Sequence, residues 1–96
     1  MTYVVVATYK AQEATTNDVK EHLEQMVAPT RAEPGCRSYQ VFRSRQDDSV
    51  FVLVEEYDDE AAFDAHRSTD HFGTHILGGA IPLLAEREVV HAAPLA

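Results

Sequence analysis

The chain has one cysteine, no tryptophan and only 8 basic residues among 96. A single cysteine, Cys36, excludes an internal disulfide and any metal site built from several thiolates. The 16 acidic residues leave a formal net charge of −8, which repels phosphate backbones and anionic membranes. We therefore expect neither nucleic acid nor a membrane as a partner.

Long apolar runs and common cofactor motifs are also missing. No stretch approaches the roughly 20 apolar residues that cross a bilayer, and the first residues lack the basic start of a signal peptide. These absences predict a cytoplasmic protein. The patterns GxGxxG, GxxxxGK(S/T) and HExxH do not occur, which weighs against nucleotide, Rossmann-type flavin and metal sites.

Strand and helix patterns alternate along the chain. Runs rich in β-branched and aromatic residues predict strands at Tyr3–Tyr9, Cys36–Ser44, Val50–Tyr57 and Glu86–Ala92. Apolar residues at helical spacing follow Thr15-x-x-Asp18, which resembles a capping box, and continue to Thr30. A second helix is predicted to open at Asp58-Asp59-Glu60, and a short third helix to cover Ser68–His75.

The order β-α-β-β-α-β predicts one ferredoxin-like domain over residues 1–96, with a loose tail at 93–96. This α+β fold has a four-stranded antiparallel sheet with its helices on one face. Residues of the third strand, however, are apolar on both faces: Phe51 and Leu53 point one way, Val52 and Val54 the other. A bare apolar face of this size is unusual in monomers. We therefore predict a homodimer that packs sheet against sheet.

Three of the five histidines, His66, His71 and His75, fall within ten residues. Histidine moves protons near neutral pH, so these are candidates for acid–base chemistry. On one continuous helix His66 would point away from His71, but a break near Ser68-Thr69 would re-aim it. A metal site built on them has no supporting motif and is not predicted.

Glu55 is the carboxylate that stands out in an acidic cluster of six between positions 55 and 64. It shares a strand face with Phe51 and Leu53, so it should be half buried and in need of a partner. A symmetric hairpin places Tyr39 across from it. Aromatic residues are numerous enough either to line a pocket or to form a plain core.

Three segments together resemble the antibiotic biosynthesis monooxygenase family. They are Glu33-Pro34-Gly35-Cys36 before a strand with Tyr39, then Glu55-x-Tyr57, then Ala62-Phe63-x-x-His66-x-x-x-x-His71-Phe72. The resemblance covers about residues 3–92 and implies a ferredoxin-like dimer. The tryptophan associated with the haem-degrading branch is absent, and this argues against haem.

What the resemblance implies for function is a monooxygenase that needs no cofactor and oxidises an electron-rich phenol, quinol or anthrone with O2. His66 and His71 are the expected base and anion stabiliser, and Glu55 is expected to orient one of them. The expected substrate-binding residues are Tyr39, Tyr57, Phe63, Phe72 and His75. Two alternatives remain: an isomerase of a small hydroxy-ketone or phosphohydroxy-ketone signal, and a non-catalytic dimer that binds an aromatic metabolite.

Overall fold

The computed structural model describes all 96 residues of the chain. Its elements are β1 (Tyr3–Ala11), α1 (Thr16–Arg31), β2 (Cys36–Arg43), β3 (Val50–Tyr57), α2 (Glu60–Arg67), α3 (Asp70–Phe72) and β4 (Leu84–Ala92). The four strands form one antiparallel sheet in the order β2-β3-β1-β4. The predicted ferredoxin-like arrangement is confirmed. None of the helices combines the length and the apolar character that a membrane crossing requires.

One face of the sheet packs against the helices and forms the core. Alternate residues of β1 and β3 are buried there, because successive side chains of a strand point to opposite faces. The apolar stripe of α1 covers this face, and its residues Val19, Leu23 and Met26 are completely buried. The helical spacing read from the sequence therefore identifies the correct face of α1.

The opposite face of the sheet carries a patch of apolar side chains. Val6 of β1 pairs with Val54 on one side and with Val90 on the other, so three valines lie in one row. Val90 is 50% exposed and Phe42, on the same side, is 48% exposed. Large apolar side chains are thus left in contact with solvent on this face.

The start of α1 differs from the predicted capping box. Thr15 makes no cap with its side chain. Its hydroxyl instead donates hydrogen bonds to the carbonyl oxygens of Gln12 and Leu83, at 3.0 and 2.8 Å. The threonine thus ties the beginning of α1 to the segment that precedes β4.

The helical segment that follows α2 is longer and more irregular than predicted. It begins at Asp70, after Thr69, whose hydroxyl accepts a hydrogen bond from the Phe72 N–H. The chain then continues as a π-helix over Gly73–Ala80 and a 3-10 turn over Ile81–Leu83. The helix does break at Ser68-Thr69, and the break separates the helices that carry His66 and His71.

Candidate active site

Glu55 is a carboxylate on the buried face of β3. It points toward the helices together with Leu53 and Tyr57, and only 5% of the residue is exposed. The Tyr57 hydroxyl donates a 2.5 Å hydrogen bond to Glu55 Oε1. Burial raises the pKa of the Glu55 carboxyl to about 7; the Tyr57 hydrogen bond opposes this rise, and the negative charge of Glu33 adds to it. Such a carboxyl can take up and release a proton near neutral pH.

His66 lies behind Glu55, in the last turn of α2. The helix begins where the Asp59 side chain accepts a hydrogen bond from the Ala62 N–H, at 2.9 Å. Only 2% of His66 is exposed, and its ring centroid lies 5.3 Å from that of Tyr57. Its Nε2 is 3.9 Å from Glu55 Oε1. The two groups are close enough for the charge of one to influence the other.

Glu33 is the partner of His66 on its other side. It follows α1 in a tight turn, where its N–H donates to the Thr30 carbonyl at 3.0 Å. The turn approaches α2 very closely: a methyl group on Gly35 would lie 2.5 Å from the Cβ of Ala62. A glycine at this position therefore allows Glu33 to reach the histidine.

Two histidines donate hydrogen bonds to the same oxygen of Glu33. His66 Nδ1 lies 2.9 Å from Glu33 Oε2, and His71 Nε2 lies 2.6 Å from it. Because a carboxylate only accepts, the neutral His66 ring carries its proton on Nδ1 and leaves a lone pair on Nε2, toward Glu55. Burial lowers the pKa of His66, although Glu33 opposes this shift, so the ring favours its neutral form.

The same three side chains are also the group in this chain that could hold a metal ion. Their ligand atoms all lie within 4.8 Å of one another. Two imidazoles and one carboxylate suit a divalent transition metal. The metal content of the protein must therefore be measured beside any activity.

A cavity of about 240 Å³ opens beside Glu55, on the helix side of the sheet. Phe63 and Phe72 line it from the helices, and Val5, Ala7 and Val89 line it from the sheet. Neither His66 nor His71 is part of its wall. Glu55 is therefore the one member of the polar cluster (Glu33, Glu55, His66 and His71) that lines this space.

The structure brings together most of the residues singled out in the sequence. Tyr39 pairs with Glu55 across β2 and β3, as the symmetric hairpin predicted. Its ring centroid is 5.9 Å from that of His66, but neither Tyr39 nor Tyr57 lines the cavity beside Glu55. Their pKa values are raised, chiefly by burial. Both tyrosines therefore pack around the polar cluster, outside the wall of this cavity.

His75 lies apart from this site. Its Nδ1 is 3.0 Å from Nδ1 of His22 in α1, so one ring donates and the other accepts. Burial, with smaller contributions from His22 and His71, lowers the pKa of His75. The predicted substrate contact of His75 therefore has no counterpart in the cavity wall.

The expected site residues did not include Glu33 of the polar cluster, nor Arg67, Arg87 and His91 of the cavity wall. In the sequence Glu33 stands out only as the first residue of the segment Glu33-Pro34-Gly35-Cys36, and nothing local connects it with a histidine 33 positions later. Arg87 and His91 line the cavity from β4. The alternation of β4 could have identified Arg87 and His91, because both point to the same face of the sheet as Val89.

Comparisons with known proteins match this chain over most of its length. The family model described as "Antibiotic biosynthesis monooxygenase" matches residues 2–76. The protein named "Putative monooxygenase Rv0793" of Mycobacterium tuberculosis is 37% identical over 68 residues, which are 71% of this chain and 66% of that protein, just under two thirds. "Putative monooxygenase YcnE" of Bacillus subtilis is 30% identical over 87 residues, 91% of this chain and 92% of that protein.

Solved structures of other proteins have the same fold as this chain. The structure of Rv0793 has a TM-score of 0.93 at 31% identity, covering 100% of this chain and 97% of the other. The structure of PA3566 from Pseudomonas aeruginosa has a TM-score of 0.93 at 30% identity, covering 99% and 95%. The range matched by the family model contains all four residues of the polar cluster.

Proposed function

Because the chain belongs to the antibiotic biosynthesis monooxygenase family, we propose that it is a cofactor-independent monooxygenase that oxidises an electron-rich aromatic with O2. The observation that carries this proposal is Glu55, a buried carboxyl with a pKa of about 7 that lines a cavity together with aromatic side chains. Oxidation of a phenol requires a base in a site that excludes water. Glu55 supplies the base, and Phe63 and Phe72 supply apolar walls beside it.

The proposed reaction balances without an external reductant. Ground-state O2 is a triplet and reacts slowly with closed-shell molecules, but a phenolate can give it one electron and then combine with it at a ring carbon. Loss of the proton on that carbon and cleavage of the O–O bond give a quinone and water. The phenol supplies all the electrons that O2 accepts, one oxygen atom enters the quinone, and the other leaves as water.

The geometry favours a division of roles different from the one expected from the sequence. Glu55 contacts the cavity and is the base that takes the phenol proton. His66 stands behind it, with the Nε2 lone pair toward Glu55, and can accept that proton in turn. Glu33 and His71 hold the His66 ring in this orientation through the shared carboxylate oxygen.

Oxygen uptake tests the proposal. The metal-stripped protein, with its metal content measured, is mixed with a panel of quinols, naphthols and anthrones, and O2 and quinone are followed together. We expect uptake above the uncatalysed rate, with one quinone formed for each O2. The variant His66→Gln should lose most of this rate, whereas His22→Gln, a half-buried histidine outside the cavity, should keep it.

Two results would reject the proposal. Turnover that persists without oxygen would favour an isomerase. Binding of the panel compounds without any oxygen uptake would favour a non-catalytic binding protein.

The rate is expected to depend on pH through Glu55. Because the base must be ionised, kcat/KM should rise with pH and level off, with an apparent pKa of about 7 that belongs to the coupled Glu55–His66 pair. The measurement is a pH–rate profile between pH values of about 5.5 and 8.5. A flat profile across this range would contradict the role of Glu55.

The pH dependence of the free energy of unfolding provides a second test of the Glu55 carboxyl. The folded pKa of Glu55 lies above its unfolded value, so the folded state binds the proton more tightly and loses stability as pH rises toward and through about 7. The free energy of unfolding of Glu55→Gln, relative to that of the wild type, should therefore increase by about 1–3 kcal/mol when the pH is raised from about 5 to about 8. His66 has the opposite dependence but is common to both proteins. Denaturant unfolding at the two pH values measures the difference, and no pH-dependent difference would contradict the raised pKa.

A homodimer is part of the proposal. The valine row Val6, Val54 and Val90 and the half-exposed Phe42 support burial of this sheet face by a second copy. We expect light scattering after size exclusion to give twice the chain mass. Val6→Lys should give monomers, whereas Ala65→Lys, on an exposed position of α2, should remain a dimer. A wild-type monomer at concentrations of about 10 μM would contradict the dimer.

A further inference from the structure

Two arginines line the cavity beside Glu55, although the chain has twice as many acidic as basic residues. Arg67 comes from the end of α2, and its Cζ lies 5.0 Å from the ring centroid of Phe63. Arg87 comes from β4, and its Cζ lies 5.8 Å from the ring centroid of Tyr9. Each guanidinium thus lies over a different aromatic side chain of the same cavity wall.

The positive charge of these arginines is only partly neutralised. Arg67 donates to Asp64 Oδ1 at 2.7 Å, and Arg87 takes part in none of the ion pairs of the structure. The acidic neighbours of Arg87 along β4, Glu86 and Glu88, point to the other face of the sheet. A guanidinium has five N–H donors in a fork that matches a carboxylate. Both arginines therefore keep donors free for an anion.

The size of the cavity limits the ring system that fits beside them. At about 240 Å³ it is smaller than the roughly 300–1,000 Å³ usual for ligand pockets. One ring or two fused rings suit this space better than three or four. The rings of Phe63 and Phe72 provide flat apolar walls for such a ligand.

From these features we infer that the substrate is an aromatic acid of one or two rings, with its carboxylate bound by Arg67 and Arg87 and its ring in the apolar part of the cavity. The anchored acid leaves the far end of the ring, with its hydroxyl, toward Glu55. The reaction that follows rests on the proposed function, but the binding step is measurable by itself.

Binding of two matched naphthols tests the inference. The ligands are 6-hydroxy-2-naphthoate, with its two polar groups at opposite ends, and 2-naphthol, which lacks the acid; their own fluorescence reports binding. We expect the acid to bind at least about tenfold more tightly than the neutral ligand, and Arg67→Gln or Arg87→Gln to remove about tenfold of its affinity. Affinity for 2-naphthol should not change in these variants.

The control variant is Arg43→Gln. Arg43 also lies over an aromatic ring, with its Cζ 5.0 Å from the centroid of Phe51, but it is not part of this cavity. Its replacement should leave both affinities unchanged. Added salt should weaken binding of the acid and leave binding of 2-naphthol unchanged.

Three results would overturn the inference: equal affinities for the two ligands, no binding of the acid, or binding of the acid that neither arginine variant weakens. Arginines that only cover aromatic surface would give one of these results. Preferential binding of the acid without oxygen uptake on any substrate would reject the proposed function and keep the inference. Oxygen uptake with 2-naphthol, and no preference for the acid, would reject the inference and keep the proposed function.

Discussion

Replacing Glu55 by Gln is expected to lower kcat by about 10²–10⁴-fold, the usual contribution of a positioned general base. Glutamine has nearly the same volume, and its amide oxygen can still accept the hydrogen bond that the Tyr57 hydroxyl donates to Glu55. It cannot take a proton from the substrate. The measurement is steady-state oxygen uptake with the best substrate of the panel, at a pH above 7.

The matched control is Glu56→Gln. Glu56 is the next residue of β3, and it points to the opposite face of the sheet, away from the cavity. This variant should keep kcat within about twofold of the wild type, since surface substitutions have small effects. A Glu55 variant that changes KM but leaves kcat intact would show that the carboxyl only binds substrate, and the base would have to be sought elsewhere.

The second large effect is expected from a single methyl group at Gly35. Gly35→Ala places a Cβ 2.5 Å from the Cβ of Ala62, and neither group has a flexible end that could move aside. The turn and α2 must separate, at a cost of about 1–3 kcal/mol in the free energy of unfolding. Activity should fall as well, because Glu33 and His66 are carried by the two segments that separate.

Urea unfolding of two further variants makes this prediction specific. At Gly73 an added methyl group would meet nothing within 4 Å, so Gly73→Ala should be neutral or stabilising. Ala62→Gly combined with Gly35→Ala removes the clash and should recover part of the stability lost in the single variant. If Gly35→Ala is as stable as the wild type, or the double variant shows no recovery, the close approach is not what holds the turn against α2.

Much of the fold could be predicted because it depends on local patterns. Alternation in β3 correctly placed Phe51, Leu53 and Glu55 on one face, and the symmetric hairpin correctly paired Tyr39 with Glu55. The Thr15 capping box was wrong because the threonine hydroxyl found two carbonyl acceptors, one of them 68 residues away. The π-helix was missed because apolar spacing over two turns does not distinguish its hydrogen-bond pattern from that of an α-helix.

Local strand patterns identified one residue of the site, because that residue broke a local rule. Glu55 could be identified because a carboxylate on an apolar strand face needs a partner. Glu33 could not be identified in the same way, because it lies in a turn and joins the site only when distant segments pack together.

The polar cluster also gives the proton a route that is separate from the route of the substrate and O2. At one end Glu55 lines the cavity; at the other end the His71 side chain is 20% exposed to solvent. Between them lie His66 and Glu33, with successive contacts of 3.9, 2.9 and 2.6 Å. In the proposed reaction a proton removed inside the cavity can therefore pass along these four side chains and reach bulk water at His71. The cavity mouth is left to the organic substrate and O2, and no water has to enter for the proton to leave.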